Sequence, residues 1–201
     1  MTVPAHPPLP WPELEARIGR WIELEARSEE PFGWPAEEFS NDREEKFARW
    51  VVMAASVHPR FRFVRNETVH WSPPRKPLAA SRVALLSTGG IRLRSQPRYE
   101  VDCELADAAW NAIPSTASAG AFAIDHEHYN HADADGDVNC MLPVERLRDL
   151  AAAGAVGAAA PRHVGLMGCI SDPGRLLAET APAVAAMLAS DGVDVVLLTP
   201  G

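Results

Sequence analysis

Apolar side chains in the first eighty residues recur at helical spacing. Leu14, Ile18, Trp21 and Ile22 fall at i, i+4, i+7 and i+8, which predicts a helix over 12–29. Asn41 and Glu44 form a capping-box pair ahead of Phe47, Trp50, Val51 and Ala54, a second helical stripe that Pro59 ends. Pro73, Pro74 and Pro77 mark a linker. Beyond it the pattern changes. Val83–Thr88 is a short apolar run closed by Gly89-Gly90, which predicts a buried strand and a tight turn. Residues 121–124 read as a short strand. Residues 143–153 read as a helix opened by Pro143 and closed by Gly154. Val164–Ile170 reads as a buried strand. Residues 173–190 read as a helix kinked or split at Pro182, with Thr180 capping the fresh start. Val193–Leu198 reads as a further buried strand. Strands alternating with helices predict parallel pairing in a layered α/β domain over 81–201, behind a helical, proline-rich arm over 1–80.

Composition narrows the function. The chain has 201 residues, 47% of them hydrophobic and 23% charged, a globular content. No run of eighteen apolar residues predicts a membrane span. Residues 1–12 hold five prolines and lack the apolar core of a secretory signal. The net charge of −8 is unevenly spread: residues 1–100 hold 15 basic against 13 acidic groups, residues 101–201 hold 4 against 14. An acidic half repels phosphate, so nucleic acid is not an expected partner. The tryptophans Trp11, Trp21, Trp34, Trp50 and Trp71 have few basic neighbours and read as helix packing rather than base stacking. Three cysteines, Cys103, Cys140 and Cys169, form no Cys-x-x-Cys pair. That argues against a disulfide framework and for a reducing cytoplasm, with Cys169 a small buried hydrophobe.

Candidate chemistry concentrates in Asp125–Asp137, where three of the seven histidines and five acidic residues lie within thirteen positions. Imidazoles and carboxylates this close serve as metal ligands or as acids and bases. Neither register of an EF-hand fits: a loop starting at Asp133 puts Val138 where glycine belongs, and one starting at His131 ends on Leu142. There is no His-Glu-x-x-His. In an extended backbone His126 and His128 share one side. Arg92 and Arg94, two apart after the glycines, are placed to clamp a carboxylate or to form a solvated strand face. The chain stops at Thr199-Pro200-Gly201, directly after a strand, where a ligand-binding loop of an α/β sheet begins. The expectation is a domain incomplete at its C-terminus; the alternative is a domain that ends on a strand.

Four blocks carry a family likeness: Val83–Ser95 (VALLSTGGIRLRS), Asp125–Pro143 (DHEHYNHADADGDVNCMLP), Arg162–Pro173 (RHVGLMGCISDP) and Asp191–Gly201 (DGVDVVLLTPG). Together they resemble the selenoprotein B family of glycine, betaine, sarcosine and D-proline reductases, nearest its D-proline branch. The resemblance implies a selenocysteine, or a cysteine in some relatives, soon after the equivalent of Gly201. Selenocysteine is encoded by UGA, so the expectation is a longer selenoprotein cut at that codon, leaving these 201 residues without the nucleophile and inactive alone. It further implies reductive cleavage of a C–N bond in an amino acid or amine, a pyruvoyl group on a partner subunit, a thiol reductant and a cytoplasmic setting. His126, His128 and Asp133 match the family's histidine- and acid-rich block and take a candidate catalytic role, moving protons or placing substrate. The rival expectation is a non-catalytic domain whose Asp125–Asp137 loop binds a metal or a polar metabolite; a third is a metal-dependent hydrolase using the same loop.

Overall fold

The computed structural model describes residues 43–57, 61, 72–102 and 107–200. The helix expected over 12–29, Cys103 and the tryptophans other than Trp50 and Trp110 lie outside them. The chain divides into two units, Met1–Phe63 and Val64–Gly201. In the first, helix α1 (Arg43–Val57) buries Val51, Val52 and Ala54 and stops before Pro59. Trp50, expected on the buried stripe, is 47% exposed, and its ring meets Phe61 edge-on at 5.7 Å.

The second unit is α/β. Its strands are β1 (Arg82–Ser87), β2 (Ile91–Leu93), β3 (Trp110–Pro114), β4 (Phe122–Ile124), β5 (Ala158–Ala159), β6 (Arg162–Leu166) and β7 (Val195–Thr199). Its helices are α2 (Ala132–Gly136), α3 (Val144–Ala152) and α4 (Ala181–Ser190). β1 is central and pairs in parallel with β5, β6 and β7. β3 runs antiparallel to β6. Because β7 follows β1 along Val83–Ser87, β5 and then β6 share the opposite edge, interrupted at Ala160-Pro161. β2 and β4 form a separate antiparallel ribbon, with Arg92 opposite Ala123.

Alternation along β1 builds two cores. Val83 and Leu85 join Ile113, Val144 and Leu147 on the face toward α3, whereas Ala84 joins Val164, Val184, Met187 and Leu188 on the face toward α4. A parallel sheet must be covered on both faces, and the short apolar run of β1 reflects that. α3 follows the expected bounds, opening after Pro143 and closing before Gly154, whose φ is +73°.

Three local expectations need correction. β7 is not buried: it lies at an edge of β1, and Leu197 and Leu198 are 50% and 66% exposed. The stretch 174–190 is helical throughout, and it accommodates Pro182 by a π turn over Leu176–Thr180 that runs straight into α4. Proline has no N–H to donate, and a widened turn is a common answer. Thr180 does not cap; it is buried and its Oγ1 donates to the Ala108 carbonyl at 2.5 Å.

Candidate functional site

The carboxyl ends of β1, β6 and β7 converge. The Thr88 N–H donates to the Thr199 carbonyl at 3.1 Å and the Gly90 N–H to the Leu166 carbonyl at 2.8 Å, and Gly89 bridges Met167. The Thr199 hydroxyl donates to the Met141 carbonyl, fixing the end of β7 against the turn that precedes α3. This is the edge at which α/β sheets place ligands.

The histidine-rich segment reaches that edge through the β2–β4 ribbon. Asp125 follows β4, and its N–H donates to the Gly90 carbonyl at 3.1 Å. Its carboxylate is gripped by the two nitrogens of Arg92, Nε at 2.5 Å and Nη2 at 2.9 Å, with the side chains only 9% and 2% exposed. The Tyr99 N–H adds a third bond at 3.0 Å and Arg98 Nε a fourth at 3.3 Å. Burial by itself would raise the Asp125 pKa; the Arg92 and Tyr99 bonds and the charges of Arg92 and Arg98 outweigh it and hold the carboxyl below its usual range. The carboxylate that Arg92 clamps is thus internal. Arg94, expected on the same face, lies past the end of β2 and is exposed.

His126 is 5% exposed, packed between two glycines. Gly90 has φ +69°, and a Cβ there would stand 2.8 Å from the His126 nitrogen. A Cβ on Gly168 would come within 3.3 Å of His126 Nε2 and 2.6 Å of the Thr88 carbonyl. Only glycine permits these approaches. His126 Nδ1 accepts the His128 N–H at 3.1 Å, which leaves the proton of the neutral ring on Nε2. Burial, then the charges of His128 and His131, push its pKa below the ordinary histidine value. His128 is exposed, its ring edge-on to His126 at 5.6 Å, and its Nε2 meets the Val101 carbonyl at 3.0 Å. Tyr129 stacks edge-on to His126 at 4.7 Å and donates its hydroxyl to the Gly89 carbonyl. His131 Nδ1 pairs with Asp135 at 2.7 Å.

Of the three residues singled out from the sequence, the structure brings His126 and His128 together. Asp133 lies on the exposed side of α2, and among the described residues no hydrogen bond joins its carboxylate to either imidazole. Sequence reasoning passed over Tyr129, Arg98 and Gly168. Tyr129 sits inside the conspicuous loop, but nothing in the pattern signals that Arg98 or Gly168 lies beside it. Cys169 also needs correction: it follows Gly168 in the turn after β6, half-buried and disulfide-bonded, rather than buried in a strand as a free thiol; Cys140 is free and exposed. Among the described residues no three His, Cys, Asp or Glu side chains converge as metal ligands. No helix among them is long and apolar enough to cross a membrane.

Comparison with known proteins agrees with the four sequence blocks. Residues 56–201 match the family model for glycine/sarcosine/betaine reductase selenoprotein B. The chain is 35% identical over 131 residues to the D-proline reductase subunit gamma of Acetoanaerobium sticklandii, an alignment covering 65% of this chain and 53% of that one. The chain therefore spans about half the length of the curated relative it matches. No solved structure matches it. With the matched residues containing both the converging strand ends and the imidazoles set against them, the chain belongs to the glycine/sarcosine/betaine reductase selenoprotein B family.

Proposed function

We propose that this chain is a subunit of a selenol- or thiol-dependent reductase that cleaves the C–N bond of an amino acid or amine in the cytoplasm. The observation that carries the reading is His126, held neutral with its proton on Nε2 where β1, β6 and β7 end. The reading also draws on the names of the family and the relative, which specify reduction of glycine, sarcosine, betaine or D-proline by those proteins.

Reductive C–N cleavage consumes two electrons and two protons: the nitrogen departs with one hydrogen, the carbon gains another, and a dithiol becomes a disulfide. The family resemblance implies a selenol as the nucleophile and, on a partner subunit, a pyruvoyl group that would activate the amine. The residues of this chain supply hydrogen bonding and proton movement. The strand-end environment suits such a group, because it offers a buried neutral donor in His126 and an exposed imidazole in His128 within one ring contact. His126 fits the part of a fixed donor that orients the substrate. His128, open to solvent, fits proton exchange with water at the departing nitrogen.

The test is a native complex isolated through an affinity tag on this subunit, incubated with a dithiol and, separately, D-proline, glycine, sarcosine or betaine. The expected result is consumption of at least one of them with one disulfide formed per C–N bond broken. Failure to consume any of the four, with all subunits present, overturns the reading.

A further inference from the structure

Two guanidinium groups share one buried carboxylate. Asp125 is already matched in charge and geometry by Arg92, which donates through both Nε and Nη2 and turns Nη1 to the carbonyls of Leu93, Arg94 and Gln96. Arg98 is the second cation. Only its Nε reaches the carboxylate, at 3.3 Å, and its side chain is 75% exposed. Among the described residues its Nη1 and Nη2 make no hydrogen bond. A guanidinium offers two flat edges; Asp125 holds one edge of Arg98 and leaves the other presented outward, in the fork that matches a carboxylate.

Its place in the fold is fixed. The adjoining Tyr99 is tied down at both ends, its N–H to Asp125 and its hydroxyl to the Ile91 carbonyl at 3.2 Å. Two residues on, the Val101 carbonyl meets His128 Nε2 at 3.0 Å. Residues 98–101 therefore run alongside 125–128, with Arg98 against Asp125 at one end and Val101 against His128 at the other. On a chain of net charge −8, a guanidinium in excess of its carboxylate partner is where an anion is tolerated.

We propose that Arg98 is the substrate-carboxylate anchor of this site. The inference rests on the reductase reading for its ligand class: glycine, sarcosine, betaine and proline differ at nitrogen but share a carboxylate one carbon away from it. Holding that carboxylate at Arg98 delivers the carbon–nitrogen bond toward the imidazoles, whatever the substituents on nitrogen.

Two measurements test the anchor and keep it separate from the reductase reading. In the first, the 201-residue chain is titrated with D-proline, glycine and their neutral-carboxamide analogues while the His126 and His128 ring resonances are followed by NMR. The acids shift them at concentrations roughly 10- to 100-fold below the amides, the size expected for a charge-assisted pair. Arg98→Gln removes that preference without altering the unfolding temperature, and Arg98→Lys restores only part of it. Equal response to acid and amide, no response to either acid, or an acid preference that survives Arg98→Gln overturns the proposal. In the second, the native complex carrying Arg98→Gln loses on KM by a similar factor rather than on kcat. Turnover with an unchanged KM leaves the reductase reading standing and removes the anchor. An Arg98-dependent acid preference in a complex that reduces none of the four compounds does the reverse.

Discussion

His126 Nδ1 accepts the backbone N–H of His128 at 3.1 Å, so one imidazole fixes its own tautomer through the main chain of the other. Burial then keeps the ring neutral. Nitrogen-15 NMR of the imidazoles is expected to show the Nε2-protonated form for His126, titrating below the ordinary histidine pKa of about 6.5. A ring protonated on Nδ1 at neutral pH contradicts the geometry.

The Arg92–Asp125 pair holds the loop that carries His126. Removing one member leaves a charge buried without its partner, which typically costs about 3–5 kcal/mol. Asp125→Ala is therefore expected to lower the urea midpoint strongly, whereas joint replacement, Arg92→Met with Asp125→Leu, recovers much of the loss. Because the folded-state pKa of Asp125 is depressed, its contribution is present above the unfolded carboxyl pKa and disappears as pH falls below it. Equal instability of the single and double variants would show that shape, not charge, is at stake.

Much of the second unit was legible because its signals are local. The apolar run of β1, Gly89-Gly90 behind it, and Pro143 with Gly154 around α3 each announce an element through backbone chemistry in a few residues. The candidate loop was legible for the same reason: imidazoles and carboxylates crowd one segment. What escaped depends on pairing across the chain. Arg92 read equally as a carboxylate clamp or as part of a solvated strand face, because Asp125, 33 positions on, is invisible as its partner until β2 and β4 pair. β7 looked buried because its residues are apolar, and only the strand order puts Leu197 and Leu198 at an edge. Gly168 and Arg98 carry no local signature at all; their importance lies in what folds against them.

The two glycines beside His126 make a direct prediction. Gly90→Ala must adopt φ +69° with its Cβ 2.8 Å from the His126 nitrogen, and Gly168→Ala must displace the Thr88 carbonyl. Each is expected to cost at least about 1 kcal/mol and to move the His126 resonance. Gly120→Ala, with nothing among the described residues within 4 Å of the new Cβ, should change stability by less than about 0.5 kcal/mol and leave the resonance in place.

His163 gives the clearest dependence on pH. It is fully buried on β6, its Nδ1 accepts the Leu85 N–H at 3.2 Å, and among the described residues its Nε2 has no partner. Burial, assisted by the Arg148 charge, pushes its pKa down to about 4. Between that value and the unfolded pKa of about 6.5 the unfolded chain binds more protons, so stability falls as pH is lowered through this window and is complete above it. The loss amounts to about 3 kcal/mol. His163→Gln is expected to remove that part of the slope in urea unfolding measured from pH 7 to pH 4. An identical slope in the variant would assign it to other groups.

The account stands or falls on His126 as a hydrogen-bonding group in C–N bond cleavage. The direct measurement is single-turnover cleavage by the native complex, with substrate and dithiol saturating, for wild type, His126→Ala and His126→Gln. Loss of a fixed donor of this kind costs roughly 10²- to 10³-fold. The account predicts that loss for His126→Ala, with partial retention in His126→Gln, whose side-chain amide can donate from the place of Nε2. Cleavage by His126→Ala within about threefold of wild type, in a complex of unchanged subunit composition, would contradict it.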